Sequence, residues 1–182
     1  MQAPVQGHAV AAFDYAFPWD RAIAALKFRD GLGWAGVLAR TLTDAVADAA
    51  RAGNIAPADL VTAVPLSDQR LRERGYNQAW EIARRVARWH GLPARHDLLR
   101  RLRDSPPQAS LDRAARAANL RGAFMPGGPE ARTAVRGRVV ALVDDVLTTG
   151  ATAGAAAQAL HEAGAVAVHV WVLARTPAPA DA

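Results

Sequence analysis

The sequence contains no cysteine. That excludes a disulfide framework, thiolate metal centres and a thiol nucleophile. It has a single lysine, Lys27, far upstream of the glycine turn at 150 and not preceded by the required glycines, so the G-x-x-x-x-G-K-[ST] phosphate loop has no candidate. No G-x-G-x-x-G follows a strand-like run, which disfavours a dinucleotide fold. The five histidines, at 8, 90, 96, 161 and 169, include no H-x-x-x-H pair, so no metal site built by the protein alone is read. No apolar run is long enough to span a bilayer, since the longest near the end is broken by His169. The first residues show no basic stretch followed by an apolar core, so no signal peptide is read and a cytoplasmic location without membrane insertion is expected.

What is present is 182 residues, the size of one ordinary domain. A chain of this size buries about 70% of its unfolded surface and needs no staples. The formal net charge is +5, and 21 of the 22 basic residues are arginine. Arginine suits bidentate recognition of phosphate. The same surplus also fits a nucleic-acid surface or an arginine-favouring genome. The arginines cluster at 70–74 and 95–121.

Residues 1–12 are small and weakly patterned and read as a flexible arm; 13–176 read as one domain and 177–182 as a flexible Pro/Ala tail. Pro18 with Asp20 opens a helix to about Phe28, and Val37, Leu38, Leu42, Val46 and Ala49 recur at helical spacing over 32–51. The spacing predicts strands over 59–64, 122–125, 138–143 and 166–173, and helices over 77–90 and 152–163. Residues 66–76 read as a polar, basic loop, and 126–129 as a turn. Strands alternating with helices imply a largely parallel sheet flanked by helices.

The informative stretch is 139–152, V-V-A-L-V-D-D-V-L-T-T-G-A-T. An apolar strand runs into two adjacent carboxylates, and a threonine-rich turn then leads into a helix. In open α/β sheets ligands sit at the carboxyl ends of strands. A helix N-terminus offers unpaired N–H groups and partial positive charge to an anion. Gly150 permits the tight backbone that aims such groups at one point. Carboxylates are poor phosphate ligands and strong acceptors for hydroxyls. One phosphate beside a vicinal diol describes a ribose 5-phosphate. A bare D-D pair also begins capped helices; the T-T-G-A-T continuation separates the two readings.

This segment resembles the phosphoribosyl pyrophosphate motif of type I phosphoribosyltransferases. Further matches narrow the likeness: Leu26-Lys-Phe28; Val64-Pro-Leu followed by R-L-R-E-R-G-Y-N-Q over 70–78; and Gln108, Leu111, Arg116, Asn119 and Gly122-Ala-Phe124. Over roughly 13–175 the chain is similar to the ComF/GntX family. The resemblance implies the type I phosphoribosyltransferase fold, a mostly parallel sheet flanked by helices with a small N-terminal helical hood. It implies that Asp144 and Asp145 hold the ribose hydroxyls and that Thr148, Thr149, Gly150, Ala151 and Thr152 hold the 5-phosphate. Pro65, Leu66, Arg70, Arg72 and Arg74 would form the pyrophosphate loop, and Gln108, Arg113, Arg116 and Asn119 would lie on a flexible loop that closes over the site. Mg²⁺ would enter with phosphoribosyl pyrophosphate, held mainly by ligand oxygens and water rather than by protein alone. The four-cysteine zinc module with which many ComF-like proteins begin has no counterpart among these residues.

Two readings stay open. One is an enzyme, a pentosyl transferase passing the phosphoribosyl group to an unknown nitrogenous acceptor. The other is an accessory competence factor in DNA uptake that keeps the ligand site without turnover. Single-stranded DNA, competence proteins and a second copy of the chain are the partners left open, and no catalytic acid or base is singled out. On either reading, changing both Asp144 and Asp145 to Asn abolishes binding of phosphoribosyl pyrophosphate while the fold survives. Calorimetric titration beside circular dichroism checks this, and a folded double variant that binds as the parent does removes the ribose assignment.

Overall fold

The computed structural model describes residues 7–102 and 122–176. In chain order the elements are β1 (Ala9–Asp14), α1 (Trp19–Ala25), a 3₁₀ segment (Arg29–Trp34), α2 (Ala35–Arg51), β2 (Leu60–Ala63), α3 (Asp68–Arg74), α4 (Gln78–His90), β3 (Leu99–Arg101), β4 (Phe124–Pro126), α5 (Pro129–Val135), β5 (Val139–Leu147), α6 (Ala151–Glu162) and β6 (Ala167–Arg175). The main sheet has the order β1-β6-β5-β2, and every pairing in it is parallel. β3 and β4 form a separate antiparallel pair.

Two cores sandwich the sheet. Ala141, Val143, Trp171 and Leu173 face the apolar sides of α1, α2 and α4, where Ile23, Leu38, Leu42, Ile82 and Val86 are buried. Val140, Leu142 and Val168 face α5, α6 and the small β-pair, through Val135, Leu160, Leu98 and Phe124. Alternate residues of β5 therefore serve opposite faces, and the run 139–143 is continuously apolar because both faces are covered. Each Val or Leu so buried contributes about 1.5–3 kcal/mol. α6 lies against β4, β5 and β6, and buries Ala153, Ala156, Ala157 and Ala159 as well as Leu160. Small side chains on that face bring its axis close to the sheet and fix where its N-terminus points.

The expected parallel α/β sheet is present, and several local expectations are corrected. The arm read over 1–12 gives way at Ala9 to strand β1, paired with β6 from Ala9↔Val170 to Asp14↔Arg175. Its alanine-rich sequence carries little alternation; the partner strand supplies the order. The loop read over 66–76 contains α3, a seven-residue helix with no buried residue and hence no apolar stripe to betray it. Ser67 caps it, accepting from Arg70 N–H at 3.3 Å, and Gly75 closes it in the left-handed region at φ 82°. β5 does not stop at Val143. It runs to Leu147, because β6 pairs with it as far as Arg175. The turn read over 126–129 opens α5, with Pro129 in its first turn. The first predicted helix ends at Ala25, and a tight turn follows in which Gly31 N–H donates to Phe28 O at 3.0 Å.

That turn leaves no room. A Cβ on Gly31 would lie 1.8 Å from the Ala25 carbonyl oxygen. Gly31→Ala is therefore expected to cost at least about 1–3 kcal/mol through forced backbone movement. Denaturant unfolding measures it, and an unchanged midpoint contradicts the packing described.

Candidate functional site

β2 pairs with β5 only from Leu60↔Val140 to Ala63↔Val143. Val64 N–H still donates to Val143 O at 2.9 Å, and then Pro65, which has no N–H, ends the ladder. The last four residues of β5, Asp144 to Leu147, thus project past the end of β2. The chain that leaves β2 fills the space beside them. Asn77 anchors it: its Nδ2 donates to Val64 O at 2.9 Å, and its Oδ1 accepts from Ala79 N–H at 3.0 Å as the N-cap of α4. Tyr76 reaches the other way, its hydroxyl donating to Leu26 O at 2.8 Å, so the N-terminal helices are tied to the mouth of the site.

Asp144 and Asp145 are partly buried. Among the described residues neither forms a salt bridge. Part of their acceptor capacity is taken by N–H donors instead: Asp145 N–H donates to Asp144 Oδ1 at 2.9 Å, and Val146 N–H donates to Asp145 Oδ1 at 2.8 Å. Gln78 Nε2 donates to Asp145 Oδ2 at 3.1 Å. Burial, and then the charge of Asp145, hold the Asp144 carboxyl well above its usual 3.8, against a smaller pull from Arg101. The pair is a desolvated carboxyl couple with oxygens to offer a hydroxyl-bearing ligand.

Thr148 and Thr149 are exposed and Gly150 takes φ 76°, which an L side chain rarely adopts; the nearest atom to a Cβ there is 3.9 Å away, so conformation and not space requires glycine. α6 begins at Ala151, and Gly154 N–H closes its first turn on Gly150 O at 2.7 Å. The N–H groups before it have no intrahelical acceptor; that of Ala151 reaches Thr149 Oγ1 at 3.4 Å. The amides and hydroxyls of 148–152 thus lie within a few residues of the carboxylates along the chain.

Pro65 and Leu66 are partly buried at the end of β2, while Arg70 and Arg72 are exposed on α3. Arg74 turns inward, its Nη1 bonded to Gln78 Oε1. The structure therefore gathers Pro65, Leu66, Arg74, Asp144, Asp145 and 148–152 at one end of the sheet. The expected closing loop, with Gln108, Arg113, Arg116 and Asn119, lies outside the described residues. Gln78 was missed as a site residue. Its place directly after a capping Asn, where a first-turn side chain is ordinarily exposed, concealed it; its position in the R-G-Y-N-Q run was the available signal.

No protein-family model matches the chain. Over 167 residues it is 36% identical to the DNA utilization protein YhgH of Escherichia coli K12, covering 92% of this chain and 71% of that protein. Over 174 residues it is 33% identical to competence protein F of Haemophilus influenzae, covering 96% and 75%. Among solved structures it resembles the glutamine phosphoribosylpyrophosphate amidotransferase of B. subtilis complexed with ADP and GMP, with a TM-score of 0.51 at 24% identity over 78% of this chain. The match spans 26% of the amidotransferase chain, and it shows a shared fold.

A carboxyl whose pKa is raised in the folded chain takes up protons on folding. Its effect is to weaken the fold as pH rises from the usual carboxylate value through the raised one, and the penalty persists above. Asp144→Asn removes the charge and keeps an acceptor for Asp145 N–H. It is expected to unfold at a higher temperature than the parent at neutral pH, with the gain shrinking as pH falls toward about 4. A variant less stable than the parent at neutral pH contradicts the account of the pair.

Proposed function

Because this chain belongs to the family of competence protein F and the DNA utilization protein YhgH, we propose that its site binds phosphoribosyl pyrophosphate and transfers the phosphoribosyl group to a nitrogenous acceptor, releasing pyrophosphate. The observation that carries this reading is the carboxyl couple near the end of β5, which has no salt-bridge partner among the described residues, with a three-residue turn, 148–150, leading from β5 to the N-terminus of α6. In this reading Asp144 and Asp145 accept from the ribose hydroxyls, and the amides and hydroxyls of 148–152 receive the 5-phosphate. Displacement at ribose C1 builds positive charge on the ring, which the carboxylates favour, and negative charge on the departing diphosphate, which Arg74 and the exposed arginines of α3 meet. Among the described residues no group of three or more His, Cys, Asp or Glu is placed to hold a metal. That donor set suits a cation carried in by the ligand, so Mg²⁺ would sit against diphosphate oxygens and water, with Asp144 and Asp145 as nearby protein oxygens. Bound there, it would neutralise charge on the leaving group.

A second reading is supported by the relatives' names. They concern DNA utilization and competence, so an accessory role in handling single-stranded DNA is retained, with the basic β3 residues Arg100 and Arg101 as contacts. No helix among the described residues is long and apolar enough to cross a membrane.

Titration with phosphoribosyl pyrophosphate, with and without Mg²⁺, is expected to show Mg²⁺-dependent binding, and a panel of bases and amines is expected to include an acceptor that drives pyrophosphate release. Tight binding with no release against any acceptor removes the transferase step. Steeply salt-dependent binding of single-stranded DNA, weakened on changing Arg100 and Arg101 to Ala, favours the accessory reading.

A further inference from the structure

Gln78 is 6% exposed, and both ends of its amide are engaged. Its Oε1 accepts from Arg74 Nη1, and its Nε2 donates to Asp145 Oδ2 at 3.1 Å. The amide orientation follows from its partners. Reversed, it would set oxygen against a carboxylate and an N–H against a guanidinium, leaving two buried polar contacts repulsive. The Gln78–Asp145 contact joins residues 67 positions apart in the chain. One end of the bridge through Gln78 is the last turn of α3, the other the overhang of β5. Each end is itself fixed. Gly75 closes α3 through its N–H to Leu71 O at 2.8 Å, and the Asn77 cap holds the first turn of α4 against Val64. The guanidinium has five donors, and among the described residues it spends one on Gln78, so further donors of the half-buried Arg74 are open to an anion there.

We propose that Gln78 is a positioning residue that couples the diphosphate side of the site to the ribose side through the chain Arg74–Gln78–Asp145. It rests on the phosphoribosyl reading and adds a regulation of that site. A diphosphate that fixes Arg74 fixes the amide, and the amide sets the Asp145 carboxylate in the orientation a sugar hydroxyl meets. By linkage the effect is reciprocal: each ligand tightens the other by the same factor. Half a ligand, ribose 5-phosphate alone or pyrophosphate alone, then binds to a site only partly set.

The test is calorimetric titration of ribose 5-phosphate with and without saturating magnesium pyrophosphate, on the full chain. In the parent, pyrophosphate is expected to tighten ribose 5-phosphate about five-fold or more. In Gln78→Leu, which keeps bulk and loses both hydrogen bonds, that factor falls to about one, the absence of coupling. Gln78→Glu supplies a second readout. Ionised, it faces Asp145 with a like charge and the coupling is lost. Protonated, its C=O and O–H reproduce the acceptor and donor of the glutamine, so the coupling returns as the buffer is taken from mildly alkaline to mildly acidic. A side chain that merely supports the fold would give no such pH profile. Equal coupling in parent and Gln78→Leu overturns the proposal, as does a parent that binds both ligands independently. A parent that binds neither ligand overturns the phosphoribosyl reading itself, and with it this inference.

Discussion

Two carboxylates on consecutive residues of one strand repel each other, and this site must hold them together in a partly desolvated place. It does so without a salt bridge among the described residues. Backbone N–H groups of Asp145 and Val146 and the amide of Gln78 supply the hydrogen bonds. Neutral donors orient a carboxylate while leaving its charge uncancelled, whereas an arginine clamp would fill the lone pairs a ligand needs. Burial, and then the charge of Asp145, hold the Asp144 carboxyl above its usual value. A local penalty kept at a strand end is intelligible where a ligand relieves it.

The rest of the fold sets up this arrangement. Parallel pairing brings the carboxyl ends of β1, β6, β5 and β2 to the same edge, and β2 is shorter than β5, so the acidic residues overhang. The overhang is stabilised on one side by β6 and walled on the other by the chain from Pro65 to Gln78. The alanine face of α6 presses that helix onto the sheet, which carries its N-terminus to the same edge. Tyr76 ties in the N-terminal helices by the hydrogen bond of its hydroxyl to Leu26. A basic helix with its capped turn, from residues 68–78, and an acidic overhang with an open helix start, from residues 144–152, thus meet at one edge of the sheet.

What the sequence reveals depends on how locally each feature is encoded. β5 and α6 are legible because a buried parallel strand needs an unbroken apolar run and the following turn needs Gly150. The Asn77 cap is legible from residue type and position. β1 is hidden because Ala9 to Ala12 have no pattern of their own and become a strand only by pairing with β6. α3 is hidden because a helix that buries nothing has no apolar period. β3 is three residues long, too short for alternation to register, whereas β4, equally short, overlaps the strand read over 122–125. The contact of Gln78 with Asp145 joins residues far apart in the chain, and no local rule encodes it. Family resemblance reaches further than periodicity here, since it marks the R-G-Y-N-Q run without saying what each side chain touches.

The central claim is that one ligand engages the carboxyl couple and the helix start together. Amide and side-chain carboxyl NMR shifts, followed while ribose 5-phosphate is added, test it most directly. The account predicts that the amides of Gly150, Ala151 and Thr152 and the carboxyl carbons of Asp144 and Asp145 shift along one binding curve. Movement of the 150–152 amides alone, with both carboxyl signals unchanged at saturation, contradicts it.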